Sequence, residues 1–305
     1  MASIPRKRRT SIHMYVMMLP GLLYLFINNY VPMAGLFIAF KDVDYSKGIF
    51  NSDWVGFDNF KYLFSTSDAW VITRNTILYN VAFIILGTVL GVAAGILLSE
   101  ITRKFFSRFY QTALLLPQLI SIIIVAYIGY AFLSMDTGLI NNSILPIFGM
   151  DPLSWYTEPT YWPFILTFIH LWKGLGYSCI IYLAAIIGID RSLYESAEID
   201  GAGKWKQITS ITLPLLKPTI TVLVLMSIGR IFYADFGLFF QVPMNSGMLY
   251  STTNVIDTYV YRGLLQMNDI GMASAAGAYQ SVVGFVLVLL ANYIVRKVDR
   301  DNALF

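Results

Sequence analysis

Ile189-Asp190-Arg191-Ser192-Leu193-Tyr194-Glu195-Ser196-Ala197-Glu198-Ile199-Asp200-Gly201-Ala202-Gly203-Lys204-Trp205-Lys206-Gln207-Ile208-Thr209-Ser210-Ile211-Thr212-Leu213-Pro214-Leu215-Leu216-Lys217-Pro218 is a polar island between two long apolar stretches. Ser192 followed by Glu195 has the spacing of a capping box, which predicts a helix starting there. Gly201 suits the left-handed residue that stops such a helix. Trp205, Ile208 and Ile211 then share one face of a second short helix. Pro214 is expected to end it, and Pro218 to set the start of the next apolar stretch. The product is a helix–turn–helix knob with an apolar side that has to be buried. Lipid could cover that side as an interfacial helix, or another protein could dock on it; helix physics leaves both open.

Outward from the knob the chain is apolar. A spanning helix needs about 20 mostly apolar residues, and six segments qualify: about 13–40, 73–98, 109–133, 161–189, 218–240 and 273–296. The fold class expected is all-α integral membrane with six transmembrane helices, one domain over 1–305, and a polar loop at 190–217. Only 13% of the 305 residues are charged, about half the usual share of a soluble domain. Pro20 and Pro32 predict a tilted or kinked first span. Its basic front resembles a signal peptide, but the apolar run is too long, so an uncleaved first span is expected.

Lys and Arg in short loops set the orientation. Arg6, Lys7, Arg8 and Arg9, then Arg103, Lys104 and Arg108, then Arg191, Lys204, Lys206 and Lys217, then Arg296, Lys297 and Arg300 fall on one side. The other side holds only Lys41, Lys47, Lys61 and Arg262. Both termini and the knob are therefore expected in the cytoplasm. The outer loop at 41–72, with Asp42, Asp44, Asp53, Asp58 and Asp68 among aromatics, is expected to fold against the outer surface. A net charge of +3 with no basic stripe gives no case for nucleic acid. One cysteine, Cys179, excludes an intrachain disulfide, and two histidines leave little for a metal site.

Glu195-Ser196-Ala197, three residues, Gly201, nine residues, then Ile211-Thr212-Leu213-Pro214 resembles the EAA motif of binding-protein-dependent ABC importer permeases. The one departure is Ser196, where that pattern has Ala. The resemblance implies a type I importer permease in a bacterial-type cytoplasmic membrane, working by alternating access. In such importers this loop is the coupling helix that seats in an ATPase subunit. Glu195, Ser196, Ala197, Asp200 and Gly201 would form that contact, braced by Leu213-Pro214. The implied partners are two ATPase subunits, a second permease subunit of different sequence, and an extracytoplasmic solute-binding protein. ATP and Mg would sit on the ATPase, with no cofactor on this chain.

Other stretches resemble maltose-type carbohydrate permeases. They are Val55-Gly56-Phe57-Asp58-Asn59-Phe60, Leu116-Pro117-Gln118 and Gly138-Leu139-Ile140-Asn141. Ser227-Ile228-Gly229-Arg230-Ile231-Phe232-Tyr233-Ala234-Asp235-Phe236-Gly237 is similar to a branch importing oligosaccharides or polysaccharide fragments. A carbohydrate solute is therefore expected, with a non-sugar solute, or a self-contained secondary transporter, as rivals.

Charged residues inside spans cost about 2.5–3.5 kcal/mol on insertion scales and usually face a bundle interior. Arg230 and Lys173 are expected near the middles of spans five and four, lining a cavity or paired internally. Asp235 lies roughly 140° round a helix from Arg230, so the two would not pair locally. Sugars need aromatic faces and a few polar groups. Trp172, Phe232, Tyr233, Gln241, Gln118, Asn80 and Gln280 supply them, against the plainer reading of lipid-facing or interfacial side chains. Gly87, Gly91 and Gly95 form a small-residue stripe for close helix packing, within the chain rather than with a partner.

Catalysis finds no support. His170 and Ser178 on one helix stand about 12 Å apart, too far for a nucleophile and its base. Gly203-Lys204 has Glu198 and Trp205 where a P-loop needs Gly and Ser or Thr, so ATP has to be hydrolysed by a separate chain.

Overall fold

The computed structural model describes residues 12–298. Arg6, Lys7, Arg8, Arg9 and Arg300, used above for orientation, lie outside them. Five described helices are long and apolar enough to cross a membrane, and six if one bent pair counts as a span.

The first span, Met14–Phe40, begins as α1 (Ile12–Leu25) and passes through a π-turn at Phe26–Tyr30 into a 3-10 stretch, Ala34–Phe40. A ribbon comes next, β1 (Lys41–Asp42) antiparallel to β2 (Asp53–Trp54), with Lys41 opposite Trp54. Helix α2 (Asp58–Ser65) then leads into α3 (Ser67–Ser99). The loop rich in aspartates thus has structure of its own. Asn59 on α2 secures it by donating to the carbonyls of Ala39 (3.0 Å) and Lys41 (2.9 Å).

Between α3 and the knob lie α4 (Lys104–Leu119), α5 (Ile122–Leu133) and α6 (Trp162–Ile187). The span expected at 109–133 is sharply bent: α4 and α5 meet at 92°. Pro117 removes a helical N–H, and Ile120 and Ser121 turn extended just after it. Lys173 on α6 stabilises the break by donating to the carbonyls of Pro117 (3.2 Å), which also accepts from Ile120 N, and of Ile120. Its ammonium is thereby satisfied inside the chain by backbone carbonyls. Helix α3 lies along α6, and the glycine stripe permits it. A Cβ on Gly91 would stand 3.0 Å from the Ser178 Cβ, and one on Gly95 3.2 Å from the Leu183 nitrogen.

The knob begins with α7 (Arg191–Ile199) and continues in α8 (Lys204–Ile228), which corrects two expectations. Pro214 does not end a short helix and Pro218 does not begin span five; one helix runs through both. A π-turn at Ile208–Thr212 makes this possible. Proline's ring expels the carbonyl four residues back, so the residue before it reaches five back instead. Leu213 N duly bonds Ile208 O just before Pro214. The same arrangement recurs at Val31 N to Phe26 O before Pro32, and at Leu145 N to Ile140 O before Pro146.

The span expected at 218–240 stops at Ile228. Gly229 to Asp235 unwinds, and the chain resumes as the short α9 (Phe236–Gln241), capped by the Asp235 carboxylate accepting from Leu238 N at 3.1 Å. Helices α10 (Ile256–Leu265) and α11 (Ile270–Val298) complete the bundle. One core joins Tyr79, Phe83, Trp162, Leu166 and Phe239 between α3, α6 and α9. A second joins Leu63, Ile72, Phe232, Ile256 and Tyr259 around the unwound segment.

Candidate functional site

A cavity of about 510 Å³ opens between α3, α6 and the end of α8. Asn80, Arg230 and Tyr233, singled out from the sequence, all line it. Arg230 is not in mid-helix as expected; it lies in the unwound segment, its side chain exposed to the cavity.

That segment is held from three sides. Asn80 on α3 donates to the carbonyls of Ile231 (3.0 Å) and Tyr233 (3.3 Å). Gln280 on α11 donates to Phe232 O (2.7 Å) and to the Asp257 carboxylate (3.1 Å). Asp257 on α10 in turn accepts from Ala234 N at 2.7 Å. Irregular backbone at membrane depth survives only where such partners satisfy it or where it lines a cavity. Here both conditions are met.

The remaining candidates sit elsewhere. Phe232 is buried in the core and Gln280 acts behind the wall. Asp235 caps α9, Lys173 caps the break after α4, and Gln241 is half-buried at the end of α9. Gln118 and Trp172 are exposed on the outer faces of α4 and α6, outside the cavity. Sequence reasoning finds no role for His170 beyond that of a failed catalytic base. Its ring lies flat on Phe83, centroids 3.7 Å apart and 6° from parallel, and both line the cavity. A polar aromatic in an apolar span was the available signal. Thr88, Ser178 and Ser227 add hydroxyl groups.

The knob carries the second group of candidates. Helix α7 does not start on a capping box: Asp190 is the cap, its carboxylate accepting from Ser192 N at 2.9 Å. That backbone N–H holds the Asp190 carboxyl below its ordinary range. Glu195 instead lies 3.6 Å from Arg191, one turn back. Gly201 has φ +76°, and Ala202 N bonds Ala197 O at 2.8 Å while Gly201 N bonds Glu198 O at 3.0 Å. This is the Schellman stop expected of the glycine.

Lys204 ties the turn to the end of α3, 3.5 Å from Glu100 and 3.4 Å from Glu198. The face expected to be buried is rotated. Gln207, Thr212 and Leu216 point inward, whereas Trp205 is 77% and Ile199 87% exposed. Glu195, Ser196, Asp200, Gly201, Leu213 and Pro214 are exposed, and Ala197 is half-buried.

Residues 87–300 match the family described as binding-protein-dependent transport system inner membrane component. The chain belongs to that family. The resemblance carried by Glu195 through Pro214 is thus borne out, and the permease is a multi-pass membrane protein. It is 33% identical over 295 residues to the polygalacturonan/rhamnogalacturonan transport system permease protein YteP of Bacillus subtilis (strain 168), covering 95% of this chain and 89% of that one. A crystal structure of a bacterial ABC transporter involved in import of the acidic polysaccharide alginate superposes with a TM-score of 0.86. The matched chain is 36% identical, with 94% of the permease and 96% of that chain covered. A second structure, of a bacterial alginate ABC transporter with an alginate pentasaccharide-bound periplasmic protein, gives 0.84 at 35% identity, covering 94% of each chain.

Proposed function

We propose that this chain is one permease subunit of an ATP-driven importer of oligosaccharide, forming half of a translocation pathway by alternating access. The observation that carries the reading is the cavity of aromatic faces and hydroxyls beside an unwound helix end, in a chain of this family. Discontinuous helices whose freed backbone is held by side chains are a recurrent way to build a solute site inside a membrane.

Two identical or related ATPase chains carry ATP and Mg, and the knob seats in one of them. Glu195, Ser196, Ala197, Asp200 and Gly201 offer the contact, with Leu213 and Pro214 as the brace. The exposure of Ile199 and Trp205 supports docking, because an apolar tip on a polar loop needs a cover. Helix α8 then carries the motion of ATPase closure directly to Arg230 and Tyr233, since it runs unbroken from Lys204 to Ile228. The knob and both termini face the cytoplasm, and a solute-binding protein delivers the sugar from outside to this permease and a second, different one.

Purification of the chain from its native membrane in mild detergent tests the reading. Recovery of an ATPase, a second permease and a saccharide-binding protein is expected. Recovery of the chain alone, still transporting without ATP, would overturn it in favour of a secondary transporter.

A further inference from the structure

We infer that the cavity is selective for an anionic saccharide, with Arg230 taking the carboxylate of a uronate unit. This deepens the oligosaccharide reading above and rests on it. Arg230 lines the cavity, yet it has no ion pair or side-chain hydrogen bond among the described residues. Among the described residues, no aspartate or glutamate lines the cavity with it. The nearest acid in sequence, Asp235, is engaged as the cap of α9, and the basic Lys173 is bound to carbonyls outside the cavity.

A charged side chain at membrane depth pairs internally or faces a water-filled cavity, and such positions mark substrate pathways. Among the described residues the wall supplies no acid, which leaves the guanidinium open to a carboxylate on the cargo. The absence of acids also argues against a neutral sugar. Recognition of vicinal hydroxyls favours charged acceptors, and two of the polar side chains here already bond the chain's own backbone. Asn80 spends its amide N–H on Thr76, Ile231 and Tyr233 carbonyls, and Ser227 donates to Leu223 O.

Geometry suits a carboxylate. Guanidinium presents a planar fork that matches one bidentately. The backbone on either side of Arg230 is fixed: its N–H bonds Ser227 O at 3.0 Å, and its carbonyl accepts from Tyr233 N at 2.9 Å. With Ile231 and Tyr233 anchored by Asn80, the base of the arginine is preorganised rather than free. Tyr233 supplies an exposed aromatic face on which a pyranose ring can lie, beside the half-buried His170 stacked on the buried Phe83.

The test uses the whole transporter in proteoliposomes with its ATPase, second permease and binding protein. Uptake of a uronate trisaccharide and of its carboxyl methyl ester is measured for the unaltered chain, Arg230→Lys and Arg230→Gln. Variant-to-unaltered ratios cancel the binding protein's own preference. Arg230→Gln is expected to cut acid uptake at least tenfold and ester uptake less than twofold, with Arg230→Lys between. If the unaltered transporter takes only the acid, tenfold loss in Arg230→Gln with a normal response to Arg230→Lys rescue meets the same expectation. Equal losses for acid and ester would overturn the inference, placing Arg230 in a structural pair with the second permease. So would unchanged acid uptake, or uptake of neutral sugars alone. Uptake of no saccharide by the unaltered transporter, with ATP hydrolysis indifferent to sugar, would instead overturn the oligosaccharide reading itself.

Discussion

Glycines here do two different jobs, and their surroundings tell them apart. Gly201 has nothing within 4 Å of where a Cβ would sit, so its only constraint is φ +76°. Gly201→Val is therefore expected to strain the turn by about 1–2 kcal/mol without steric conflict. The protein should still insert, while stimulation of ATPase activity by loaded binding protein falls several-fold; Gly201→Asn, which tolerates this φ, should keep most of it. Full coupling in the valine variant would remove Gly201 from the docking role. Gly176 is the opposite case. A Cβ there would strike the Leu114 carbonyl of α4. Gly176→Ala should cost about 3 kcal/mol through forced separation of α4 and α6, whereas Gly87→Ala, with its nearest neighbour at 3.9 Å, should cost nothing measurable. Thermal unfolding in detergent compares the two. The stripe of Gly87, Gly91 and Gly95 was legible in sequence, but Gly176, with no small residue at stripe spacing, was not. Arg230, Asn80 and Tyr233 stood out as polar groups in apolar runs; His170 was as visible there, but a lone histidine in a span signals no particular chemistry.

At the scale of elements, composition told where the chain is apolar but not where it stays helical. The bend after Pro117 and the unwinding after Ile228 both fall inside apolar runs, where hydropathy is blind to backbone direction. Proline is visible at each π-turn, yet it does not stop the helix there: a proline preceded by a five-residue reach bends a helix without ending it. Pro214 shows what this does for the knob. A π-turn adds one residue to the helix ladder, turning the downstream part of α8 by roughly 100° relative to a regular helix. Pro214→Ala removes both the ring clash and the missing N–H, and relief of about 3 kcal/mol favours a regular α8. The variant is expected to be more thermostable than the native chain yet poorly coupled, with ATP hydrolysis less responsive to loaded binding protein. Raised stability with coupling intact would show that the rotation of the knob about α8 carries no information. The start of α7 is ambiguous in sequence for a similar reason: Asp190 and Ser192 are both good caps, and the choice falls to Asp190 because its carboxylate reaches Ser192 N.

At the scale of the whole molecule, the first span stands out as the least covered of the long helices. Of the most apolar stretch of the first span only 6% is buried, against 17–28% for the other four long helices. Lipid alone could cover the aliphatic side chains there, because hydrocarbon solvates leucine as well as protein does. Asn28 and Asn29 are different. They lie exposed in the π-turn near the middle of Met14–Phe40, and each spends one amide N–H on its own helix, at Tyr24 O (2.9 Å) and Leu25 O (3.2 Å). Their amide oxygens have no partner among the described residues, and hydrocarbon can offer none. A neighbouring polar helix can, and the second permease is the chain expected alongside. Interhelical hydrogen bonds of this kind average about 0.6 kcal/mol, so losing two should weaken association by roughly tenfold. The double variant Asn28→Leu with Asn29→Leu is more apolar and should insert at least as well as the native chain. Its recovery with the second permease from detergent extracts should nevertheless fall over a dilution series in which the native pair stays intact. Equal recovery across that series would mean that the first span meets lipid on this face, and that the two permeases hold together through α3, α8 and the cavity wall instead.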